Sequence, residues 1–286
     1  MNSRLFKRKA QLIIGKIGSE GRQIDGLRYA FDIEMTDTRE TNKGKISIWG
    51  LAEESKGLLE QKDASIFINI GYDDQEYSTL FIGNIVEFEE KIDDAGGYVV
   101  EINCKDGWIP LSNRKISLSF KAGSTTKQII NKIIADLNLT KGDYSALPDY
   151  VYNQGFSFIG SPGSALDNVL ARIGYEWTII NNVLVISQNN KSSNETIMQF
   201  LSPTTGLLGR PSRFKDKPVK TKVKKNKLMD GWKINSLIIP SIQPKSLISV
   251  ESETITGIFL IKSVKFTGDT HDNNWNAEIE AIQKSE

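Results

Sequence analysis

Leu80-Phe-Ile-Gly-Asn-Ile-Val-Glu-Phe88 and Ile258-Phe-Leu-Ile-Lys-Ser-Val-Lys-Phe266 are two versions of one pattern. Leu80, Ile82, Val86 and Phe88 fall against Ile258, Leu260, Val264 and Phe266, all on one side of an extended chain. Each stretch is followed by a turn and a second alternating row. With one gap in the turn, Tyr98, Val100, Ile102 and Cys104 line up with Trp275, Ala277, Ile279 and Ala281, and Glu101 meets Glu278 on the opposite face. The first turn lies at Asp93-Asp-Ala-Gly-Gly97, where Asp and Gly supply the backbone angles that a tight hairpin needs. Another alternating strand precedes each hairpin, Ile66 to Ile70 in one case and Leu247 to Val250 in the other. The repeat predicts two related β-units, one toward each end of the chain.

Working outward, Phe31, Ile33 and Met35 form one alternating row and Ile46 and Ile48 another. Ala52 to Gln61 is rich in helix formers and reads as a short surface helix. The period changes in the middle of the chain. Ile129, Ile130, Ile133, Ile134 and Leu137 share one helical face, with Ser124 placed to cap it. Ser164 with Asp167 reads as the start of a second helix, carried by Leu166, Val169, Leu170 and Ile173 and ended by Gly174. Trp177-Thr-Ile-Ile180 and Val183-Leu-Val-Ile186 flank Asn181-Asn182, a two-residue hairpin turn. The expected architecture is mainly β with an α+β insert: a first β-domain over 1–112, a small α+β domain over 113–189, and a second β-domain over 190–286.

The chain has 286 residues, 36 Lys+Arg against 35 Asp+Glu, 39% hydrophobic and 25% charged residues, the usage of soluble globular domains. One cysteine excludes an internal disulfide and fits synthesis in a reducing cytoplasm. The apolar stretch Ala10 to Ile14 is too short and interrupted for a signal segment, and no run approaches the roughly 20 apolar residues of a membrane span.

Catalytic chemistry has few carriers. The one histidine, His271, lies in a turn sequence, Cys104 lies on an apolar strand face, and no Gly-x-Ser-x-Gly surrounds a serine. One Cys and one His cannot build a zinc site, the acidic turns lack calcium-loop spacing, and no Gly-rich phosphate loop occurs. No catalytic, metal or cofactor residue is assigned. The outstanding local charge is Arg210, Arg213, Lys215, Lys217, Lys220, Lys222, Lys224, Lys225 and Lys227 against the single acid Asp216, a basic loop over 210–227. It lacks base-stacking aromatics apart from Phe214, so as a partner contact it fits an acidic protein surface better than nucleic acid. The simpler reading is a solvated loop.

Several segments together resemble a specific family, the central baseplate hub of contractile-tailed phages and prophage tail particles, of the Mu and Bacillus-prophage types. Arg28-Tyr-Ala-Phe-Asp-Ile-Glu-Met-Thr36 and Asn42-Lys-Gly-Lys-Ile-Ser-Ile-Trp-Gly-Leu51 look like its opening strands, with Gly50 where the family has Asn. Leu80 to Ile85 through Cys104-Lys-Asp-Gly107 looks like the hairpin closing its first barrel, and Leu201-Ser-Pro-Thr-Thr-Gly-Leu-Leu-Gly-Arg-Pro211 resembles the link into its second. Ser236 to Val250 and Gly268-Asp-Thr-His-Asp-Asn-Asn-Trp275 are the most specific matches, and the lysine-rich stretch departs from the pattern.

The resemblance implies two tail-tube-like β-barrel domains flanking the α+β domain and a non-enzymatic, structural role in the virion. It also implies a homotrimer whose six modules form a pseudo-sixfold ring around a channel, between the sixfold tail tube and a trimeric spike. The implied partners are the spike as a separate chain, tail-tube or tube-initiator proteins and the tape-measure protein. DNA would be passing cargo, no membrane would be bound, and assembly would occur in the host bacterial cytoplasm. A rival from another class is a cell-wall or carbohydrate-binding tail module, because Gly123-Ser-Thr-Thr-Lys-Gln-Ile-Ile130 resembles the start of a LysM-like helix. That reading would use Tyr175 and Trp177 as sugar-facing aromatics; packing onto the Leu166 to Ile173 helix is their simpler role.

Overall fold

A computed structural model describes residues 5, 7–73, 76–111, 114–188, 190–193, 197–215 and 230–284. The first lobe runs β1 (Arg8–Gly15), β2 (Arg22–Ile24), β3 (Tyr29–Thr36), β4 (Lys43–Trp49), α1 (Glu53–Leu59), β5 (Ser65–Tyr72), β6 (Ser78–Ile92), β7 (Tyr98–Lys105) and α2 (Trp108–Leu111). The middle of the chain holds β8 (Ile116–Phe120), β9 (Ser124–Thr125), α3 (Thr126–Leu137), β10 (Thr140–Lys141), β11 (Val151–Tyr152), β12 (Phe156–Gly160), α4 (Pro162–Ala171), β13 (Tyr175–Ile180) and β14 (Val183–Gln188). The last lobe holds β15 (Ile197–Leu201), β16 (Leu207–Lys215), β17 (Asp230–Ser236), β18 (Leu247–Glu251), β19 (Thr256–Asp269) and β20 (Trp275–Gln283). The chain is mainly β, as its alternating rows predict.

The two expected hairpins form, β6–β7 and β19–β20, and each is embedded in the same succession of pairings. The first lobe runs β3-β4-β7-β6-β5-β1 and the last runs β16-β17-β20-β19-β18-β15. One difference is that β1 lies antiparallel to β5 whereas β15 lies parallel to β18. The register corrects the sequence alignment. Ile85 faces Cys104, Ile261 faces Ala281, and in each hairpin the ladder shifts at the next residue, Val86 or Lys262. Phe88 therefore takes the place of Val264 and not of Phe266. The slip of two residues equals the side-chain period of a strand, so a hydrophobic pattern cannot detect it. The hairpin ends also differ in environment: Trp275 is buried, whereas Tyr98 is 63% exposed.

Neither lobe closes into a barrel by itself among the described residues. Among the described residues the strands form one open 13-stranded sheet, because β3 pairs with β19 and joins the lobes edge to edge. One apolar core spans both lobes, with Ile33, Ile46, Ile68 and Ile102 in the same cluster as Ile234, Ile248, Phe266 and Ile279. Phe31 meets Trp275 edge to face, with ring centroids 5.8 Å apart.

The α+β part has its own core, built from the helical rows anticipated in α3 and α4 and from β13 and β14. The caps differ from expectation. Thr125, not Ser124, caps α3: its hydroxyl accepts from the Gln128 amide, and the Gln128 side chain accepts from the Thr125 amide. Ser161 caps α4, one turn before Ser164, because Pro162 already fits the first helical position. Asp167 instead accepts from the Trp177 indole at 2.8 Å.

Candidate assembly interface

The β3–β19 seam is the contact from which an assembly site can be reasoned. Its ladder runs from Ser263 opposite Thr36 to Asp269 opposite Ala30. Ion pairs fasten it along its length. Lys265 lies 2.9 Å from the Asp32 carboxylate and 3.6 Å from Glu34. Near one end Lys262 pairs with Asp37, and at the other Arg28 Nη2 donates to Asp269 at 2.7 Å. Burial works against the charge on Asp269, yet the Arg28 guanidinium and the His271 amide hold its carboxyl below the usual range.

The repeated strand order places the equivalents of these two edges elsewhere in the chain. Gly44 faces Cys104 as Trp232 faces Ala281, and Ile33 faces Gly44 as Arg213 faces Trp232. β16 is thus the counterpart of β3, with Ser212 in the place of Asp32. The counterpart of the β19 seam segment is the outer half of β6, with Lys91 in the place of Thr267. Among the described residues both edges lack a strand partner: β16 pairs only with β17, and from Val86 onward β6 pairs only with β7. Ile92 and Tyr98, 67% and 63% exposed, face each other at the tip of that half-strand.

The middle of the chain is anchored by a buried carboxylate. Asp106 accepts from the backbone N–H of Asn181 at 2.5 Å and of Asn182 at 2.9 Å. Both asparagines have positive φ, 53° and 62°, the geometry of the anticipated two-residue turn, and this aims both amides at one acceptor. Asn42 donates to the Ile179 carbonyl at 2.9 Å, and Asn181 uses its side chain to bridge the Ile82 amide and the Leu80 carbonyl. Burial pushes the Asp106 carboxyl up to about 6, against the opposing pull of the N–H donors. A second junction joins all three parts: Lys245, buried, lies 3.4 Å from Asp37 and 3.3 Å from Glu176.

The candidates from sequence separate cleanly. Arg210 and Arg213 lie on β16, the former 2.6 Å from Glu253 and the latter 5.0 Å over the Trp232 ring. Lys215 ends that strand, while Lys217, Lys220, Lys222, Lys224, Lys225 and Lys227 lie outside the described residues. The Cys104 thiol is buried, donates to the Gly44 carbonyl, and is pushed up by burial and by Asp106. His271 occupies an exposed turn beside Thr270. Trp177 is buried against α4, as its simpler reading expected. Among the described residues no group of three His, Cys, Asp or Glu side chains could hold a metal ion, and no helix is long and apolar enough to cross a membrane. Asp106 and the open β6 edge were not singled out in the sequence. The acidic row Glu87, Glu89, Glu90 in the second half of β6 was the one available signal.

No family model matches the sequence, and no curated protein matches it. Solved structures do. The 43 kDa tail protein of prophage MuSo2 from Shewanella oneidensis is 12% identical and matches with a TM-score of 0.60 over 96% of this chain and 98% of that one. A tail protein from Neisseria meningitidis MC58 is 11% identical, with a TM-score of 0.64 over 96% and 97%. The E. coli c3393 protein, a type VI secretion system component described as structurally similar to T4 phage tail proteins gp27 and gp5, is 13% identical, with a TM-score of 0.59 over 96% and 77%. The chain therefore has the fold of phage tail proteins. The match covers the whole architecture, both β lobes and the part between them, in agreement with the family resemblance read from its sequence.

Proposed function

We propose that the chain is the structural hub of a phage tail baseplate. Three copies form a ring of six similar modules that adapts a sixfold tail tube to a threefold spike and surrounds the channel. One observation carries the reading: each chain joins two modules through β3 and β19 and, among the described residues, leaves open the counterparts of both edges, β16 and the outer half of β6. Setting β16 of one copy against β6 of the next repeats the internal seam. A head-to-tail contact that closes removes all such open edges. Each 1–112 and 190–286 unit then acts as one tube-like barrel module, completed by its neighbours, with the 113–189 domain carried outside the ring on the Asp106 junction. The role is structural, not enzymatic. The partners are a trimeric spike, tube or tube-initiator proteins and the tape-measure protein, with DNA as cargo, in a virion component assembled in the host cytoplasm.

The test combines mass and register. Light scattering over a dilution series should give three times 32.0 kDa, about 96 kDa. Thr267 faces Asp32 in the internal seam, so Lys91→Cys with Ser212→Cys should form disulfides between copies, ending at three on a non-reducing gel. Cys104 is buried and stays out of the reaction. A monomer without cross-links, or a ladder running past three, overturns the proposal.

A further inference from the structure

The two kinds of seam carry opposite charge. In the internal seam β3 is the acidic partner, with Asp32 and Glu34 and no base, and it faces Lys265 on β19 with Lys262 beside it. In the open edges the signs are exchanged. The outer half of β6 holds Glu87, Glu89 and Glu90 against Lys91, and β16 holds Arg210, Arg213 and Lys215 with no acid. By the register above, Glu90 stands at the place of Phe266 and Arg213 at the place of Ile33, which face each other in the internal seam. Glu90 and Arg213 are therefore direct partners across the seam between copies.

Strand edges do not discriminate by themselves, because every open edge offers the same alternation of N–H and C=O. This chain presents four edges of two kinds, and two wrong pairings compete with the two right ones. β16 on β19 would set Arg213 opposite Phe266, next to Lys265 along the strand and with no carboxylate facing it. β3 on β6 would set Glu34 opposite Glu89, with Asp32 opposite Lys91. The right pairings set a base opposite a carboxylate, Lys265 on Glu34 within the chain and Arg213 on Glu90 between copies, whereas the wrong ones leave Arg213 without a facing carboxylate and set Glu34 on Glu89. Present contacts leave the open edges free to exchange: the Glu90–Lys56, Lys91–Glu89 and Arg210–Glu253 pairs are surface pairs of small worth.

We infer that the exchange of charge sign between the two seams selects the partner edge, so that β16 accepts only the acidic β6 edge of a second copy and modules alternate around the ring. This rests on the ring reading above, and it gives the described part of the basic stretch a partner, the acidic half of β6. It predicts that Arg213→Glu with Lys215→Glu raises the apparent dissociation constant of the trimer by about tenfold or more at low salt. Glu89→Lys with Glu90→Lys should do the same, and all four substitutions together should restore association to within about threefold of the unaltered chain. Far-ultraviolet circular dichroism should stay unchanged in each variant, since these side chains stand at strand edges. Equal association of the unaltered chain and the Arg213→Glu, Lys215→Glu variant overturns the inference and leaves the ring standing, as does failure of the fourfold exchange to restore it. A monomeric unaltered chain overturns the ring itself and this inference with it.

Discussion

Replacing Asp106 by Ala should loosen the attachment of the β13–β14 hairpin to the first lobe. The variant leaves the Asn181 and Asn182 amides without an acceptor in a site that water does not reach, since Asp106 and Asn182 are both buried. A buried donor left unpaired costs about 1–3 kcal/mol, so the two together cost about 2–6 kcal/mol. The carboxylate also gives the effect a pH signature. Its folded-state value of about 6 lies above the ordinary 3.8, so between these values the folded chain binds the extra proton. The stabilisation is complete below about pH 4 and is lost as pH rises through about 6, a total of about 3 kcal/mol at 1.36 kcal/mol per unit. The Ala variant lacks this dependence, so its deficit against the unaltered chain should narrow by about that amount from pH 4 to pH 7. Denaturant unfolding at the two pH values measures the difference, and amide exchange at Asn181 and Asn182 locates it. A variant within about 0.5 kcal/mol of the unaltered chain at both pH values, the range of an ordinary surface change, would refute the reasoning.

Two further predictions concern the joints. The Tyr72 hydroxyl donates to the Ile238 carbonyl at 2.6 Å and accepts from the Trp275 indole at 2.9 Å, tying β5 to the last lobe, so Tyr72→Phe should cost about 2–4 kcal/mol in denaturant unfolding. Lys245→Ala leaves the buried Asp37 with Lys262 alone and should cost about 3 kcal/mol; Lys245→Met, which keeps the stem's packing, should cost less, and the difference read by thermal melting separates charge from packing.

The sequence by itself determined the elements. Alternation in Phe31-Asp-Ile-Glu-Met35 and in Ile66 to Ile70 dictates half-buried strands, and the Ile129 to Leu137 row dictates a helix, because side-chain period follows from backbone geometry. The Asn181-Asn182 turn was legible for the same local reason, since few residue pairs accept positive φ twice in succession. The repeat was legible as a pattern of faces but not in register, because a two-residue slip leaves every face unchanged. Tertiary structure alone decided what no local rule contains. It paired β3 with β19, merged two lobes into one sheet and core, and buried Asp106 beneath a hairpin some 75 residues later in the chain. The charge rows on β3, β6, β16 and β19 are plain in the sequence, but their meaning depends on which edges the fold closes and which it leaves open. Long-range pairing is settled by the geometry of the whole core, and a residue's neighbours across a seam leave no trace in its neighbours along the chain.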